Sequence, residues 1–395
     1  MLKKVKGVIV HLYYMAECGF TIALNMFFTF LSLFIPKSKQ YVIVGGWNGK
    51  RYADNSRAFY EYLTENKQEL GIKKVFWYTK DQKIFEMLLK KNYDVLYGIN
   101  MKSIFWHFRS RVHVIDQYPS DVIGFLSVRC IRINLFHGIA LKKIYNYMRK
   151  KPVYVNFFTK LYSKGFWRDQ YLLVTSEWSK EIESFAFGIT GKKCLISSYP
   201  RNARLYAKKY NGNQQEPFKV IYLPTFRDDK KQNPLLETDI EGLNSELGKR
   251  GILLYVKSHF ANKAVWNRLN GLENVVFLEA ESDVYDILPE TDLLITDYSS
   301  VFFDYIITGK PIIFFPYDYE YYKNSDRGFV VPYDEYTPGI KVETVDELLE
   351  AIYFVHLHYN EYIEEYMECY NVVSNKAHKY LDEPDYTELV RFWRK

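Results

Sequence analysis

Cysteine is scarce in this sequence of 395 residues, and its four cysteines lie far apart, with no pair at C-x-x-C spacing. They are Cys18, Cys130, Cys194 and Cys369. This distribution argues against a disulfide framework or a cysteine-based zinc site, so a reducing cytoplasm is the expected compartment.

A strong charge of either sign is also absent, because 53 lysines and arginines nearly balance 47 aspartates and glutamates. The net charge of +6 mildly favours anionic partners, but it is not a nucleic-acid-binding signature, and we expect no nucleic acid as partner. Aromatic residues, in contrast, are abundant. The 36 Tyr, 28 Phe and 7 Trp suit surfaces that are partly apolar and partly wet, such as a membrane interface.

Residues 1–40 form a segment unlike the rest of the chain. Three lysines precede a mostly apolar stretch, 8–35, which is longer than the roughly 20 residues that a helix needs to span a bilayer. His11, Glu17 and Asn25 interrupt it, and no small-residue cleavage site of a signal peptide is evident. We therefore predict a membrane-associating helix or helical hairpin that lies on the inner leaflet. The alternative is a helix packed on the protein's own core.

From residue 41 onward, short apolar runs alternate with helix-length segments, as at 41–44, 112–115, 131–136 and 293–296. This alternation predicts an α/β fold with parallel sheets covered on both faces. The polar stretch 207–218 carries turn residues and is the predicted linker. It separates a first domain, 41–206, from a second domain, 219–375. Residues 376–395 are predicted to form a C-terminal helix that can return to the first domain.

The run 293–296 leads into a small polar cluster and then a helix-length segment. Ser299 and Ser300 stand where this predicted strand passes into the helix. Serine there can cap free backbone N–H groups. The same N–H groups and the helix dipole can instead hold a phosphate.

Basic and small polar residues follow the other predicted strands of the second half in the same way. They are Arg227, Lys257 and His259. Because ligands bind at the carboxyl ends of parallel strands, these residues and the serine pair are predicted to converge on one anion. In the first half, His137 follows the run 131–136 and precedes Gly138, which leaves room for close approach. A purely structural histidine is the alternative.

Residues 142–168 combine lysines and arginines with interleaved tyrosines and phenylalanines. Such a segment can dock on anionic lipid or hold an anionic polymer. A solvated pair of helices with an aromatic packing face explains the pattern equally well.

A set of short motifs between residues 41 and 355 resembles the CDP-glycerol glycerophosphotransferase family, the enzymes that build teichoic acids and related capsule polymers. The motifs are LFHG at 135–138, YPRN at 199–202, PTFR at 224–227, KSH at 257–259, TDYSS at 296–300, GKP at 309–311 and DRGF at 326–329. The resemblance implies a GT-B-like fold, in which two Rossmann-like domains face a cleft. It also implies transfer of a polyol phosphate from CDP-glycerol to a lipid-linked or polymer acceptor, with release of CMP. The protein would act at the cytoplasmic face of the cell membrane, as a peripheral or monotopic protein.

The resemblance implies a role for each candidate residue. His137 and His259 are the catalytic candidates, with His137 as general base. The residues expected to bind CDP or phosphate are Arg227, Lys257, Thr296, Asp297, Ser299 and Ser300. Further candidates for substrate contact are Gly138, Arg201, Asn202 and Arg327. No acidic cluster stands at metal-ligand spacing, so we predict no tightly bound metal or cofactor, although weak magnesium on the diphosphate is compatible with the sequence.

Two other functions fit the same sequence. A transferase of this fold can use CDP-ribitol or a nucleotide sugar as donor. A non-catalytic module that holds an anionic polymer at the membrane would explain residues 142–168, but not the co-occurrence of His137 and His259.

Overall fold

The computed structural model describes residues 19–20, 23, 26–148, 170–212, 217–225, 234–257, 271–279 and 281–393. Within them, the first half of the chain builds a parallel sheet with the strand order β3-β2-β1-β4-β5-β6-β7. Its strands are β1 (Ser38–Gly45), β2 (Lys74–Thr79), β3 (Val95–Tyr97), β4 (Ser110–Ile115), β5 (Ile131–Asn134), β6 (Gln170–Val174) and β7 (Cys194–Ile196). We call this sheet and its helices the first lobe.

The second lobe is built on another parallel sheet, with the order β10-β9-β8-β11-β12-β13. Its strands are β8 (Phe218–Leu223), β9 (Ile252–Val256), β10 (Val275–Phe277), β11 (Leu293–Thr296), β12 (Ile312–Phe314) and β13 (Ile340–Lys341). In both sheets the strand order reverses beside the first strand, at β1/β4 and at β8/β11. Such reversal points open crevices at the carboxyl ends of strands. The predicted pair of parallel sheets is thus confirmed.

Helices pack on both faces of each sheet. Those of the first lobe are 26–33, Asp54–Glu65, Gln82–Lys90, Met101–Arg109, Glu177–Phe187 and Ala203–Tyr206. Those of the second lobe are Pro234–Glu237, Ile240–Lys249, Val301–Tyr305, Tyr319–Ser325, Tyr333–Tyr336, Val345–Leu357 and Tyr359–Ala377. Local sequence determines where several helices begin or end. Thr344 and Glu347 form a reciprocal capping box at the start of the helix Val345–Leu357, and Gly188, with a φ of 66°, ends the helix Glu177–Phe187.

The strands are buried on both faces, which explains their continuous apolar runs. Leu293, Leu294 and Ile295 of β11, for example, are fully buried. One contiguous apolar core includes residues of both sheets. The two lobes therefore share packing rather than meeting only through a linker.

The C-terminal residues return to the first lobe after the helix Tyr359–Ala377. Lys379 N–H donates to Thr175 O at 2.8 Å, and Trp393 Nε1 donates to Lys39 O at 2.8 Å. Over 378–393 the only helix is the short Thr387–Val390, whereas the sequence predicted a helix over 376–395. Pro384 and the turn-forming residues around it explain the difference, since proline disfavours continuation of a helix.

The apolar N-terminal segment is described only in part, as a helix at 26–33 and single residues before it. One face of this helix packs on the first lobe, where Phe28 contacts Phe108 and Phe125. Its other face is exposed and apolar. Packing on the protein's own core therefore explains the apolar residues of one face of the helix but not those of the other. In the described part of the chain, no helix combines the length and the apolar character needed to cross a membrane. Of the basic, aromatic stretch 142–168, residues 149–168 lie outside the described residues.

Candidate active site

A cavity of about 370 Å³ lies between the two lobes, at the carboxyl ends of their central strands. Seven of the residues predicted from the sequence line it. They are His137, Gly138, Arg201, Lys257, Ser299, Ser300 and Arg327. The cavity therefore brings the histidine of the first lobe to the basic and hydroxyl groups of the second.

His137 follows β5 on a turn with unusual backbone geometry. Phe136 has a φ of 53°, which is rare for a residue with a bulky side chain. Its N–H donates to Asn134 Oδ1 at 3.0 Å, and its carbonyl accepts from Asn55 Nδ2 at 2.9 Å. Such strain persists where the surrounding structure imposes it, and it concentrates at functional sites. Asn55 and Asn134 thus fix the direction in which His137 leaves the strand.

The environment of His137 keeps its imidazole neutral. Burial lowers the pKa of His137 to about 4, against the opposing carboxylate of Asp54, and the charges of Arg201 and Lys142 lower it further. At neutral pH the ring is therefore unprotonated. A neutral imidazole that is partly open to the cavity can accept a proton from a hydroxyl group.

Gly138 is the point at which the two lobes touch beside His137. An added Cβ at Gly138 would lie 2.6 Å from Ser300 Oγ and 3.2 Å from Arg201 Nη2, and its φ is +132°. Only glycine meets both conditions without strain. Next to it, Lys143 N–H donates to Gly328 O at 3.1 Å and Val330 N–H donates to Leu141 O at 2.9 Å, so a short antiparallel pairing joins the lobes along the cavity.

The two serines of the second lobe face the cavity and are partly exposed. Ser300 occupies the N-cap of the helix Val301–Tyr305, but its side chain makes no capping hydrogen bond. The interpretation of Ser300 as only a helix cap is therefore wrong.

Thr296 and Asp297 are fully buried and do not line the cavity. The Thr296 hydroxyl donates to Leu223 O at 2.8 Å, and Asp297 Oδ1 accepts from Thr225 N–H at 2.8 Å. These bonds tie the β11 turn to the end of β8. The structure gives both side chains this positioning role, and direct contact with substrate stays a prediction.

Arg201 is the centre of a buried ionic network that joins the lobes. Its guanidinium donates to Asp54 Oδ1 at 2.7 Å and to Asp304 Oδ2 at 2.5 Å. Asn202 Nδ2 donates to Asp304 Oδ1 at 2.8 Å, and the Tyr285 hydroxyl also donates to Asp304. Burial works against the charged guanidinium, but Asp304, Tyr285 and Asp54 raise the pKa of Arg201 well above its ordinary value. Asn202 itself is fully buried and lies outside the cavity lining.

Lys257 reaches the cavity from the end of β9, and its ammonium group donates to Ser282 O. Burial, followed by the nearby Arg51 charge, lowers the pKa of Lys257.

Arg227 and His259 lie outside the described residues, so the predicted pairing of His137 with His259 stays a prediction. Among the residues that are described, no group of three His, Cys, Asp or Glu side chains is placed to hold a metal ion.

Sequence reasoning missed part of the first-lobe wall, above all Trp47 and Arg51. Both follow β1, so the rule that polar groups collect after strands could have found Arg51. Asp54 also lies on the cavity wall and contacts Arg201, a pairing that the sequence alone does not reveal.

Two doubly wound lobes with a neutral histidine and several cations between them define a transferase site of the GT-B class. The CDP-glycerol:poly(glycerophosphate) glycerophosphotransferase model matches residues 26–391, and the chain belongs to this family of enzymes. The resemblance noted in the sequence is thus confirmed.

Similar proteins include a teichoic acid glycerol-phosphate transferase of Staphylococcus aureus, 29% identical over 364 residues, which cover 86% of this chain and 90% of that protein. A teichoic acid poly(glycerol phosphate) polymerase of Bacillus subtilis is 29% identical over 361 residues, or 82% of this chain. The chain spans about half of that polymerase, since the match covers 46% of it. The solved structure of the wall teichoic acid polymerase TagF superposes with a TM-score of 0.71 at 20% identity, covering 100% of this chain and 97% of that one, which supports the GT-B-like fold.

Proposed function

We propose that this protein transfers glycerol phosphate from CDP-glycerol to a hydroxyl group of a lipid-linked or polymer acceptor and releases CMP, in the synthesis of teichoic acid or a capsular polymer. The observation that carries the proposal is the shared cavity, where neutral His137 of one lobe meets Lys257, Ser299 and Ser300 of the other. Family membership and the names of the relatives support the donor.

In the proposed reaction, His137 removes the proton of the acceptor hydroxyl as its oxygen attacks the phosphorus that carries glycerol. The bond between that phosphorus and the bridging oxygen of the diphosphate breaks, and CMP leaves with the bonding electrons. Lys257, which lines the cavity, would neutralise the charge that moves onto CMP. The serine hydroxyls would hold a phosphate oxygen, and Arg227 and His259 are assigned to the same diphosphate by sequence alone.

Release of CMP from CDP-glycerol by the purified protein, in the presence of an acceptor, tests the proposal. We expect Lys257→Gln to raise KM for CDP-glycerol about tenfold or more, because a charge-assisted hydrogen bond is lost. Lys249→Gln, at the exposed end of the helix before β9, is the matched control and should change nothing.

Thermal shifts with CDP-glycerol, CDP-ribitol and nucleotide sugars identify the donor, since a ligand that binds the folded state raises Tm. A larger shift with CDP-ribitol or a sugar nucleotide would replace CDP-glycerol in the proposal. Salt-sensitive binding of an anionic polymer, without CMP release from any donor, would favour the non-catalytic module instead.

We also propose that the protein works at the cytoplasmic face of the cell membrane, as a peripheral or monotopic protein. The exposed apolar face of the first helix supports this, because large patches of this kind mark interaction sites. Its side chains are Met26, Phe27, Phe30 and Leu33, and Phe34 directly after the helix continues the patch, with exposed fractions from 56% to 71%.

Flotation with anionic liposomes tests the membrane contact. The double variant Phe30→Ser with Phe34→Ser should weaken flotation severalfold, since each phenylalanine buries a large area at an interface. Leu357→Ser, at an equally exposed position of the second lobe, should not. Unchanged flotation of the double variant would contradict the assignment of this face.

A further inference from the structure

The loop after β1 holds three consecutive residues in the left-handed region: Trp47 (φ 50°), Asn48 (φ 57°) and Gly49 (φ 74°). Glycine tolerates this conformation, but it is unfavourable for tryptophan and costs on the order of 1–3 kcal/mol. Such a cost persists only where the surrounding structure imposes it, so the loop conformation needs an explanation.

The neighbouring elements impose it through hydrogen bonds. Asn48 N–H donates to Asp121 Oδ1 at 2.7 Å, and Gly49 O accepts from the Thr79 hydroxyl at 2.9 Å and from Lys80 N–H at 2.7 Å. Just before the loop, an added Cβ at Gly46 would lie 2.3 Å from Ser56 Oγ. The loop is therefore rigidly seated on the first lobe.

This geometry turns the Trp47 side chain out of the core and onto the cavity wall. Trp47 is 38% exposed, and its ring centroid lies 6.3 Å from that of His137. An indole contributes most to stability when it is buried. Exposure beside the candidate base indicates a surface that receives a ligand.

Arg51 completes the surface. Its guanidinium lies 4.8 Å from the Trp47 ring centroid and lines the cavity, and it forms no ion pair with any residue of the described ranges. Lys257 stands close enough across the cavity for the Arg51 charge to disfavour its protonation. Asp283, which also lines the cavity, and Glu281 favour protonation of Lys257. Because no carboxylate of the described residues pairs with the Arg51 guanidinium, this cation is available to an anion in the cavity.

We propose that Trp47 and Arg51 form the subsite for the terminal unit of the acceptor, and that this unit is a polyol linked through a phosphodiester. The indole would pack against the C–H groups of the polyol, and the guanidinium would bind the phosphodiester. The inference rests on the proposed function. It assigns the acceptor rather than the donor because Trp47 neighbours His137, the group that acts on the acceptor hydroxyl.

Two soluble acceptors that differ only in the phosphate test the subsite: glycerophosphoglycerol and its neutral ether analogue, diglycerol. The wild-type protein should prefer the phosphodiester. Arg51→Gln should raise KM for glycerophosphoglycerol about tenfold or more and abolish the preference. Trp47→Ala should raise KM for both acceptors, and Trp47→Phe should restore most of the loss, since an aromatic face remains.

The KM for CDP-glycerol and the thermal shift that it causes should stay unchanged in all three variants. Lys50→Gln, an exposed cation in the same loop that does not line the cavity, is the control. A rise in the KM for CDP-glycerol alone, or an unchanged preference in Arg51→Gln, would overturn the proposal.

Calorimetric titration of glycerophosphoglycerol into wild-type protein and Arg51→Gln separates this proposal from the proposed function. Weaker binding to the variant supports the subsite even if no donor yields CMP. Equal binding to both, or no binding to the wild type, refutes it.

Discussion

Replacement of His137 by glutamine is expected to lower kcat by a factor of about 10² to 10⁴, the usual contribution of a general base. Glutamine keeps a polar side chain of similar length but cannot take up the proton of the acceptor hydroxyl. The turn that carries the residue is held through Phe136, Asn55 and Asn134 rather than through the imidazole. The fold should therefore survive, and CMP release per enzyme measures the loss.

The pH dependence of the wild-type rate follows from the same residue. Burial lowers the pKa of His137 to about 4, so protonation removes the base only as the pH falls through that value. The profile of kcat/KM for the donor should then show no acid limb from His137 between pH 5 and 8. A bound diphosphate adds negative charge and favours imidazolium, so the acid limb of kcat should lie at higher pH than that of kcat/KM.

His358→Gln provides the control, since His358 is an exposed histidine of the second lobe that pairs with Glu361. It should leave both profiles unchanged. A His137→Gln protein with near-normal turnover would remove His137 from the chemistry. An acid limb near pH 6.5 in kcat/KM that disappears in the variant would show that the imidazole is far less shielded than its surroundings indicate.

Much of the architecture could be predicted because parallel strands that are buried on both faces appear in the sequence as short, continuous apolar runs. The run predicted at 293–296 matches β11 residue for residue, and 112–115 lies within β4. The position of the C-terminal segment could be predicted less accurately. Its position depends on contacts such as Trp393 with Lys39, which are separated by most of the chain.

The candidate site was predictable where chemistry sits at a strand end, as for His137, Lys257 and Ser300. It was not predictable where roles depend on pairing across the lobes. Asp304 lies within an apolar helix, and its role depends on its ion pair with Arg201, which is 103 residues away in the sequence. Trp47 escaped notice because nothing in a tryptophan between glycines and asparagine reveals a left-handed backbone.

Replacement of Arg201 by methionine is expected to destabilise the protein by about 3–5 kcal/mol, the usual cost of removing one partner from a buried ionic network. Its side chain is 4% exposed, and those of Asp54 and Asp304 are 9% and 1% exposed. Methionine fills a similar volume but leaves two carboxylates facing each other in a site with little water. Because Asp54 belongs to the first lobe and Asp304 to the second, the variant should also lose activity through disturbed contact at Gly138.

Arg204 offers a matched control three residues further on, where an arginine pairs with Asp286 at the surface and both side chains are about half exposed. Arg204→Met should cost only about 0–1 kcal/mol, since exposed ion pairs contribute little. Urea denaturation of both variants measures the difference. Adding Asp304→Asn to Arg201→Met should recover part of the loss, because it removes one of the two uncompensated charges while Asn202 and Tyr285 can still bond the amide. If Arg201→Met and Arg204→Met are destabilised equally, or the second substitution makes the first one worse, the buried network does not hold the lobes together as argued.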